Sequence, residues 1–253
     1  MLLKISNLTS GYSKKYDVIN DVSFSVDYGK VGIVIGENGS GKSTIFKTIL
    51  GFIKPKGGTI CVDDVDIINM SGRNRSKYVA YVSQNVFMPN LTVFDVISMG
   101  RIPYYNFHFN KDEKNYVMDI IKDFNIENIA FKAANELSGG EKQIVAIARA
   151  VAQGAKVLVF DEPTSNLDVV NEMLLESKIK EIAKKRNVCV LISLHNLNLA
   201  YDLGDKFIFI KDGNIISEGG KDTFTEENIF KTFNKKCSIV SYEGNTYVKF
   251  IKE

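Results

Sequence analysis

A continuous apolar run, a glycine-rich loop and a helical pattern follow one another near the start of this 253-residue chain. Val31–Ile35 is apolar apart from one glycine, residues 36–43 read GENGSGKS, and residues 43–50 have helical spacing of apolar side chains. This order constrains the fold, because a phosphate-binding loop of this type connects a buried strand to a helix. It therefore predicts an α/β fold with an anion site at the helix N-terminus.

The chemistry of the loop follows from its residue types. Glycine permits the backbone angles and the close approach to phosphate oxygens that such a loop needs. Lys42 adds a mobile positive charge, and the Ser43 hydroxyl is expected to bind Mg²⁺. An incidental glycine-rich turn is the alternative, and the flanking strand and helix disfavour it. The predicted nucleotide-binding residues are Gly36, Glu37, Asn38, Gly39, Ser40, Gly41, Lys42, Ser43 and Thr44.

Further apolar runs predict the rest of the core. They occupy residues 78–82, 157–160, 188–193 and 207–210 and are separated by helical patterns. Buried strands that alternate with helices predict a mainly parallel sheet covered on both faces. The opening segment instead alternates apolar and polar side chains in pieces, which predicts an N-terminal antiparallel sheet.

The middle of the chain is predicted to be helical. Strand signals stop between about residues 85 and 153, and helical patterns cover residues 93–99, 113–124 and 141–152. We interpret this block as a helical subdomain inserted into the α/β core, with polar residues 111–115 as its flexible linker. Near the end, Thr225 is expected to cap a helix, and a hairpin is expected to turn at residues 244–245.

Composition excludes some function classes. Lysine and arginine total 32 against 30 acidic residues, so the net charge of +2 gives no electrostatic argument for a nucleic-acid partner. No apolar stretch approaches the roughly 20 residues that cross a bilayer, and no signal peptide is apparent. The three cysteines are far apart and lack metal-type spacing, which suits a reducing compartment. We expect the protein to remain inside the cell.

Two acidic residues, Asp161 and Glu162, follow the apolar run VLVF. Open α/β sheets bind ligands at the carboxyl ends of their strands, so these carboxylates are expected beside the phosphate loop. Asp161 is a candidate ligand of Mg²⁺, and Glu162 is a candidate general base for an attacking water. The alternative is that this segment only caps the helix that begins near residue 169.

Residues 137–141 read LSGGE, which permits two interpretations. Ser138 and Glu141 form the pattern of a capping box ahead of an apolar helix. Capping does not require the two glycines between them, however, and these would expose N–H groups at a positive helix end. A second anion site is therefore predicted here.

Together these strings resemble the motifs of ATP-binding cassette (ABC) ATPases, and the resemblance covers nearly the whole chain. It implies a P-loop NTPase (RecA-like) core formed by residues 1–84 and 154–253, with an N-terminal antiparallel β subdomain and an inserted α-helical subdomain at 85–153. It also implies a homodimer that encloses two ATP molecules. In that arrangement Ser138, Gly139, Gly140 and Glu141 would contact the nucleotide bound by the other protomer.

The resemblance also implies roles for single residues. Tyr12 would stack on adenine, with Tyr16 as a weaker candidate, although an exposed tyrosine needs no function. Gln84 would contact Mg²⁺ or water and sense a membrane partner. His195 would contact the γ-phosphate, whereas a lone histidine after a strand is more often structural. The other histidine, His108, lies among aromatic residues of the insertion.

Two positions differ from the commonest motif sequences of the family. Glu141 replaces a glutamine at the end of LSGGE, and Asn166 replaces an alanine in the SNLD segment at residues 165–168. That segment would cross the dimer interface, although a helix cap at Asp168 explains it equally well. The two differences bear on the affinity of the interface and leave the reaction class unchanged.

The expected function is ATP hydrolysis that drives import through separate integral membrane permease subunits at the cytoplasmic face of the membrane. An extracellular solute-binding protein would be an indirect partner. Residues 99–104, MGRIPY, resemble importers of ferric siderophores, haem or cobalamin. The alternatives are another transport system, a soluble ABC ATPase acting on nucleic acid or ribosomes, and a regulatory module without turnover. Glu162 and His195 argue against the last of these.

Overall fold

The computed structural model describes residues 2–13, 15–104, 110–165, 167–243 and 245–251. The strands, in chain order, are β1 (Leu3–Ser10), β2 (Ile19–Val26), β3 (Val31–Ile35), β4 (Gly57–Val62), β5 (Val65–Asp66), β6 (Val79–Val82), β7 (Val157–Asp161), β8 (Cys189–Ser193), β9 (Lys206–Lys211), β10 (Asn214–Gly219), β11 (Cys237–Tyr242) and β12 (Asn245–Phe250). The helices are α1 (Lys42–Ile49), α2 (Gly72–Arg75), α3 (Val93–Ser98), α4 (Lys111–Asp123), α5 (Gly139–Ala152), α6 (Val169–Arg186), α7 (Leu197–Leu203) and α8 (Glu226–Phe233).

A largely parallel sheet forms the core, as predicted. Its strand order is β10-β9-β3-β8-β7-β6, and only the pair of β9 with β10 is antiparallel among these six strands. Every residue of β3 and β8 is buried, which explains why these strands appear as continuous apolar runs. The carboxyl ends of β3, β7 and β8 lie at one edge of the sheet, where α/β proteins bind ligands.

The predicted N-terminal antiparallel sheet is present and has the order β2-β1-β4-β5. In β1 and β2 buried and exposed residues largely alternate, because one face covers the core. Leu3 pairs with Val26 on one side and with Val62 on the other. The buried side chains of this sheet meet α1 and one face of the parallel sheet in a shared apolar cluster.

Between β6 and β7 the described residues include α3, α4 and α5, which fall close to the predicted helical positions. The prediction of a flexible linker at residues 111–115 is wrong, because these residues form the first turns of α4. Asn110 caps this helix by accepting a hydrogen bond from the Glu113 N–H at 2.9 Å. Glu113 also pairs with Arg101, whose Nε lies 2.6 Å from its carboxylate. The polar side chains that suggested a linker are therefore the ones that start and anchor the helix.

The C-terminal part also agrees with the sequence patterns. Thr225 caps α8 through the N–H of Asn228, and β11 pairs with β12 in a hairpin. Gly244 of the predicted turn lies outside the described residues, and Tyr242 pairs with Asn245 across it. No helix in the described ranges combines the length and the apolar character needed to cross a bilayer.

Candidate nucleotide site

The loop between β3 and α1 has a backbone that only glycine fits well. Gly39 and Gly41 have φ values of 83° and 110°, in the region that side chains disfavour. A Cβ on Gly36 would lie 2.4 Å from the carbonyl oxygen of Ile210. The loop therefore lies close against β9 and leads directly into the N-terminus of α1, which favours an anion.

Lys42 lies inside this loop. Its ammonium group donates hydrogen bonds to the carbonyl oxygens of Gly36 at 2.8 Å and Glu37 at 3.0 Å. Burial lowers the pKa of Lys42, whereas the negative charges of Glu162 and Asp161 act to raise it. Within the described ranges the hydrogen-bond partners of the Lys42 ammonium group are carbonyl oxygens and not carboxylates, so this buried cation is suited to receive phosphate oxygens.

A cleft of about 340 Å³ opens above the loop. Tyr12 borders it and is 64% exposed, so one face of its ring is available to a flat ligand such as a base. Tyr16 is also exposed, but it is not one of the described residues that line the cleft. The residues that line the cleft are Tyr12, Val18, Asn38, Gly39, Gly41, Lys42, Ser43, Thr44 and Glu162.

Asp161 ends β7 next to the phosphate loop, as its position after a strand predicts. Its Oδ2 accepts a hydrogen bond from the Ser43 hydroxyl at 3.2 Å, and its Oδ1 accepts one from the Ser193 hydroxyl at 2.7 Å. Burial is the main reason that the pKa of Tyr81 rises to about 12, and the negative charge of the neighbouring Asp161 acts in the same direction. Ser43 and Asp161 together offer adjacent oxygen atoms of the type that Mg²⁺ prefers, so these residues fit that cation.

Glu162 is held at three points. Gln84 donates to its Oε2 at 2.7 Å, His195 Nε2 bonds its Oε1, and its backbone N–H donates to the Ser193 hydroxyl at 2.9 Å. The φ of Glu162 is 49°, which is uncommon for a residue with a side chain. The structure thus brings Gln84, His195 and Glu162 together, while His108 lies outside the described residues.

Sequence reasoning missed Ser193 and Tyr81. Both lie on strands beside β7, and Ser193 is the register partner of Asp161. The available signal was a hydroxyl at the end of an otherwise apolar strand, two residues before His195. A hydroxyl in a continuous apolar run needs a hydrogen-bond partner once it is buried, and that requirement could have singled out Ser193.

The LSGGE segment lies apart from the cleft. Ser138 caps α5, and both bonds of a capping box are present, with the Ser138 N–H donating to Glu141 at 2.8 Å. Hydrogen bonds from Ser138 lower the pKa of Glu141. Gly139 borders a separate cavity of about 90 Å³ that Gln84 and Ser165 also line. Among the described residues, none of positions 138–141 lines the Lys42 cleft.

The segment after Glu162 leads into α6. Asp168 caps this helix by accepting the N–H of Asn171 at 2.8 Å, so the predicted local role as a helix cap is present. Asn166 lies outside the described residues. The Asn171 side chain approaches Gly140 so closely that a Cβ there would lie 2.8 Å from its Cγ. The start of α6 is thus in contact with the start of α5.

Comparisons with known proteins identify the family. The family described as "ABC transporter" matches residues 19–165. An uncharacterized ABC transporter ATP-binding protein of Methanocaldococcus jannaschii is 38% identical, and the match covers 96% of each chain. A protein of Helicobacter pylori named "Probable iron chelatin transport ATP-binding protein" is 32% identical over 98% of this chain and 99% of its own length.

Comparison with solved structures supports the same family. A chain assigned to an ABC transporter of the metal-chelate type, in an inward-facing conformation, has a TM-score of 0.85 at 26% identity and covers 99% of this chain and 96% of its own. A bacterial ABC transporter cassette solved as a dimer has a TM-score of 0.75 at 25% identity and covers 87% of this chain and 99% of its own. These matches explain why a phosphate loop, a carboxylate pair and an LSGGE helix occur in one chain. The chain belongs to the ABC transporter family, as an ATP-binding subunit that hydrolyses ATP.

Proposed function

We propose that this chain is the ATPase subunit of an importer and that the imported solute is a metal chelate, such as a ferric siderophore, haem or cobalamin. The observation that carries this proposal is the end-to-end similarity to an iron chelatin transport protein and to a transporter of the metal-chelate type. The MGRIPY segment at residues 99–104 supports the same subfamily.

The residues of the cleft suggest how ATP is bound. The exposed ring of Tyr12 would stack on adenine, while residues 36–44 would surround the phosphates with N–H groups and the Lys42 ammonium. Ser43, Asp161 and Gln84 would hold Mg²⁺, which supplies positive charge that neutralises the phosphate oxygens. Lys42 would exchange its two carbonyl partners for phosphate oxygens, since a charged acceptor forms the stronger bond.

Glu162 is proposed as the general base. Its carboxylate would accept a proton from the attacking water, and Gln84 and His195 would hold that carboxylate in place. His195 would also reach the γ-phosphate, because its ring bonds Glu162, which lines the cleft above the loop. The chain's contribution is mainly positioning and charge, which is what phosphoryl transfer requires.

The remaining donors would come from a second copy. Ser138, Gly139, Gly140 and Glu141 begin α5 away from the Lys42 cleft of their own chain. We therefore propose a homodimer in which this helix start closes the partner's nucleotide site, with residues 165–168 crossing the interface. The proposed division into a core of residues 1–84 and 154–253 and a helical subdomain of residues 85–153 would let the helix start move as a unit.

Permease subunits are the proposed link to the membrane. Met99 and Ile102 are exposed apolar side chains on the MGRIPY turn, while Arg101 of the same turn is anchored to Glu113 and to the Ala152 carbonyl. A rigid turn with exposed apolar groups is suited to contact another protein. The chain would then act at the cytoplasmic face, and a solute-binding protein would take part indirectly.

Uptake measurements test the proposal. Cells that lack this chain should lose uptake of labelled ferric siderophore, haem or cobalamin, and the intact gene should restore it, whereas the Glu162→Gln variant should not. The tagged chain should co-purify with a polytopic membrane protein. Unchanged uptake of all three solutes would reject the metal-chelate assignment, and co-sedimentation with ribosomes or nucleic acid without a membrane partner would favour the soluble alternative.

A further inference from the structure

Ser193 lies between the two carboxylates of the site. It ends β8 and has no exposed surface, and its hydroxyl is within hydrogen-bond distance of both Asp161 and the backbone of Glu162. We propose that Ser193 is a positioning residue that fixes Asp161 and Glu162 relative to each other and thereby sets the rate of ATP hydrolysis. The inference rests on the roles proposed above for these two acidic residues.

The direction of the two hydrogen bonds follows from valence. A backbone N–H can only donate, so the bond of 2.9 Å from Glu162 makes the Ser193 oxygen an acceptor. The single hydroxyl proton is then free to be donated to Asp161 Oδ1 at 2.7 Å. One buried hydroxyl therefore accepts from the Glu162 amide and donates to the Asp161 carboxylate at the same time. Because it has a single proton, it can donate to only one carboxylate oxygen.

The first consequence concerns Asp161. Because Ser193 occupies Oδ1, the other oxygen, Oδ2, is the one turned toward the Ser43 hydroxyl at 3.2 Å. The plane of the carboxylate is thus fixed with one oxygen toward the strand end and one toward the phosphate loop. Without Ser193 the carboxylate could rotate about its terminal torsion, which has a broad and shallow energy profile. The oxygen presented to Mg²⁺ would then be less well ordered.

The second consequence concerns Glu162. Asp161 and Ser193 are the last register pair of β7 and β8, and the next N–H, that of Glu162, is accepted by a side chain. This bond holds Glu162 at a φ of 49°, a conformation that costs free energy for a residue with a Cβ. That conformation directs the Glu162 side chain toward Gln84 and His195. Without the Ser193 hydroxyl as acceptor, the Glu162 backbone would be less restricted, and the position of the Glu162 carboxylate would be less well defined.

Three substitutions at position 193 and one control test the proposal in the full chain. Ser193→Ala removes the hydroxyl, Ser193→Cys keeps the volume with a much weaker donor, and Ser193→Thr keeps the hydroxyl. Ser10→Ala is the matched control, because Ser10 is also fully buried and shares a hydrogen bond of 2.9 Å with Thr48 outside the site. It removes a buried hydroxyl without touching either carboxylate.

The expected result is a change in turnover with little change in ATP affinity. Ser193→Ala and Ser193→Cys should lower kcat about tenfold and raise the Mg²⁺ concentration for half-maximal turnover about threefold, as loss of one charge-assisted hydrogen bond implies. KM for ATP should stay within about twofold, since the phosphate loop is unchanged. Ser193→Thr should recover most of kcat, and Ser10→Ala should lower the melting temperature without lowering kcat.

The outcomes separate this proposal from the one on which it rests. If Ser193→Ala and Ser193→Cys both keep kcat and the Mg²⁺ requirement of the parent while Glu162→Gln stops turnover, only the role of Ser193 is overturned. Equal losses of kcat in Ser10→Ala would also overturn it, because the effect would then come from stability. Full turnover in Glu162→Gln would overturn both proposals.

Discussion

At the scale of single residues, the site depends on how Glu162 is held. Three neighbours fix its backbone and both carboxylate oxygens, and the cleft that contains Lys42 also contains this residue. A base needs a defined position more than it needs an unusual environment, since proton transfer requires hydrogen-bond geometry. The arrangement therefore predicts that replacing one carboxylate oxygen of Glu162 by an amide nitrogen strongly lowers hydrolysis of ATP and leaves its binding unchanged.

Glu162→Gln makes that separation. The amide has the volume of the carboxylate but lacks its basicity, so hydrolysis should fall by about 10² to 10⁴ while the affinity for ATP is kept. Phosphate release under steady-state conditions and titration with labelled ATP measure the two quantities. Glu127→Gln, at an exposed position, is the matched control and should leave both unchanged. Turnover close to that of the parent would show that another group removes the proton.

At the scale of elements, the start of α5 contributes to stability as well as to the proposed dimer site. The Ser138 hydroxyl and N–H both bond the Glu141 carboxylate, at 2.7 and 2.8 Å, and the Glu141 N–H returns a bond to Ser138. These bonds lower the pKa of Glu141 in the folded chain. A lowered folded pKa means that the carboxylate stabilises the fold above its unfolded pKa of about 4.3, and that this contribution is lost as pH falls through the folded value.

The capping box thus gives a prediction that depends on pH. Glu141→Ala should lower the free energy of unfolding by about 1 kcal/mol near neutral pH. The difference from the parent should shrink as the pH is lowered from neutral through the unfolded pKa of glutamate and then through the lowered folded pKa of Glu141, because the parent carboxylate becomes protonated there. Urea denaturation at several pH values measures it. Glu141→Gln retains a capping-box acceptor and should show a smaller loss without this pH dependence; a constant difference for Glu141→Ala would contradict the account.

The contact between α5 and α6 predicts that Gly140→Ala lowers the free energy of unfolding when Asn171 is present and raises it when Asn171 is replaced by alanine. A Cβ at Gly140 would lie 2.8 Å from the Asn171 side chain, which Asp168 holds by a bond of 2.9 Å. Gly140→Ala should therefore destabilise the chain by about 1 to 2 kcal/mol, because overpacking outweighs the better helix propensity of alanine. In an Asn171→Ala background the same change should stabilise it.

A double-mutant cycle of unfolding free energies measures this coupling. Gly72→Ala is the control, because Gly72 starts α2 with open space where a Cβ would be added. It should be neutral or slightly stabilising. If Gly140→Ala costs the same with and without Asn171, the close approach to α6 is not the reason that position 140 requires glycine.

The sequence predicted those parts of the site that depend on strand ends. A strand before residue 36 and another before Asp161 place the loop and the carboxylates together, because parallel strands share one carboxyl edge. The linker at residues 111–115 was predicted wrongly, since polar residues suit both a loop and a capped first helical turn. The structure decides for the helix, because Asn110 accepts the Glu113 N–H and the Glu113 carboxylate pairs with Arg101, a residue 12 positions before it.

Other contacts were beyond the sequence because they depend on register and packing. Ser193 acts on Asp161 only because β8 pairs with β7 in the register that makes these two residues partners. A shift of one residue would turn that side chain to the other face of the sheet. The approach of Asn171 to Gly140 likewise depends on how α6 lies against α5, which neither periodicity nor capping patterns specify.

At the scale of the whole molecule, the proposed phosphate site at Lys42 and the proposed anion site at the start of α5 lie apart in one chain. The Lys42 cleft and the cavity beside Gly139 have separate linings among the described residues. Two copies related by a twofold axis would form two equivalent composite sites, because each surface then meets its counterpart twice. Each site would take its phosphate loop from one chain and its α5 start from the other.

Mixing two inactive variants distinguishes this arrangement from a site within one chain. Lys42→Ala should weaken ATP binding, and Ser138→Arg should block the α5 start while leaving the Lys42 cleft of its own chain intact. In a mixed dimer, one composite site carries both changes and the other carries neither. Turnover should therefore reappear when the two inactive preparations are mixed and allowed to exchange subunits, and it should vary with total concentration as dimers form. If each site were completed within one chain, every chain would remain damaged and mixing would restore no turnover. Full turnover by a strictly monomeric preparation would also contradict the proposed dimer.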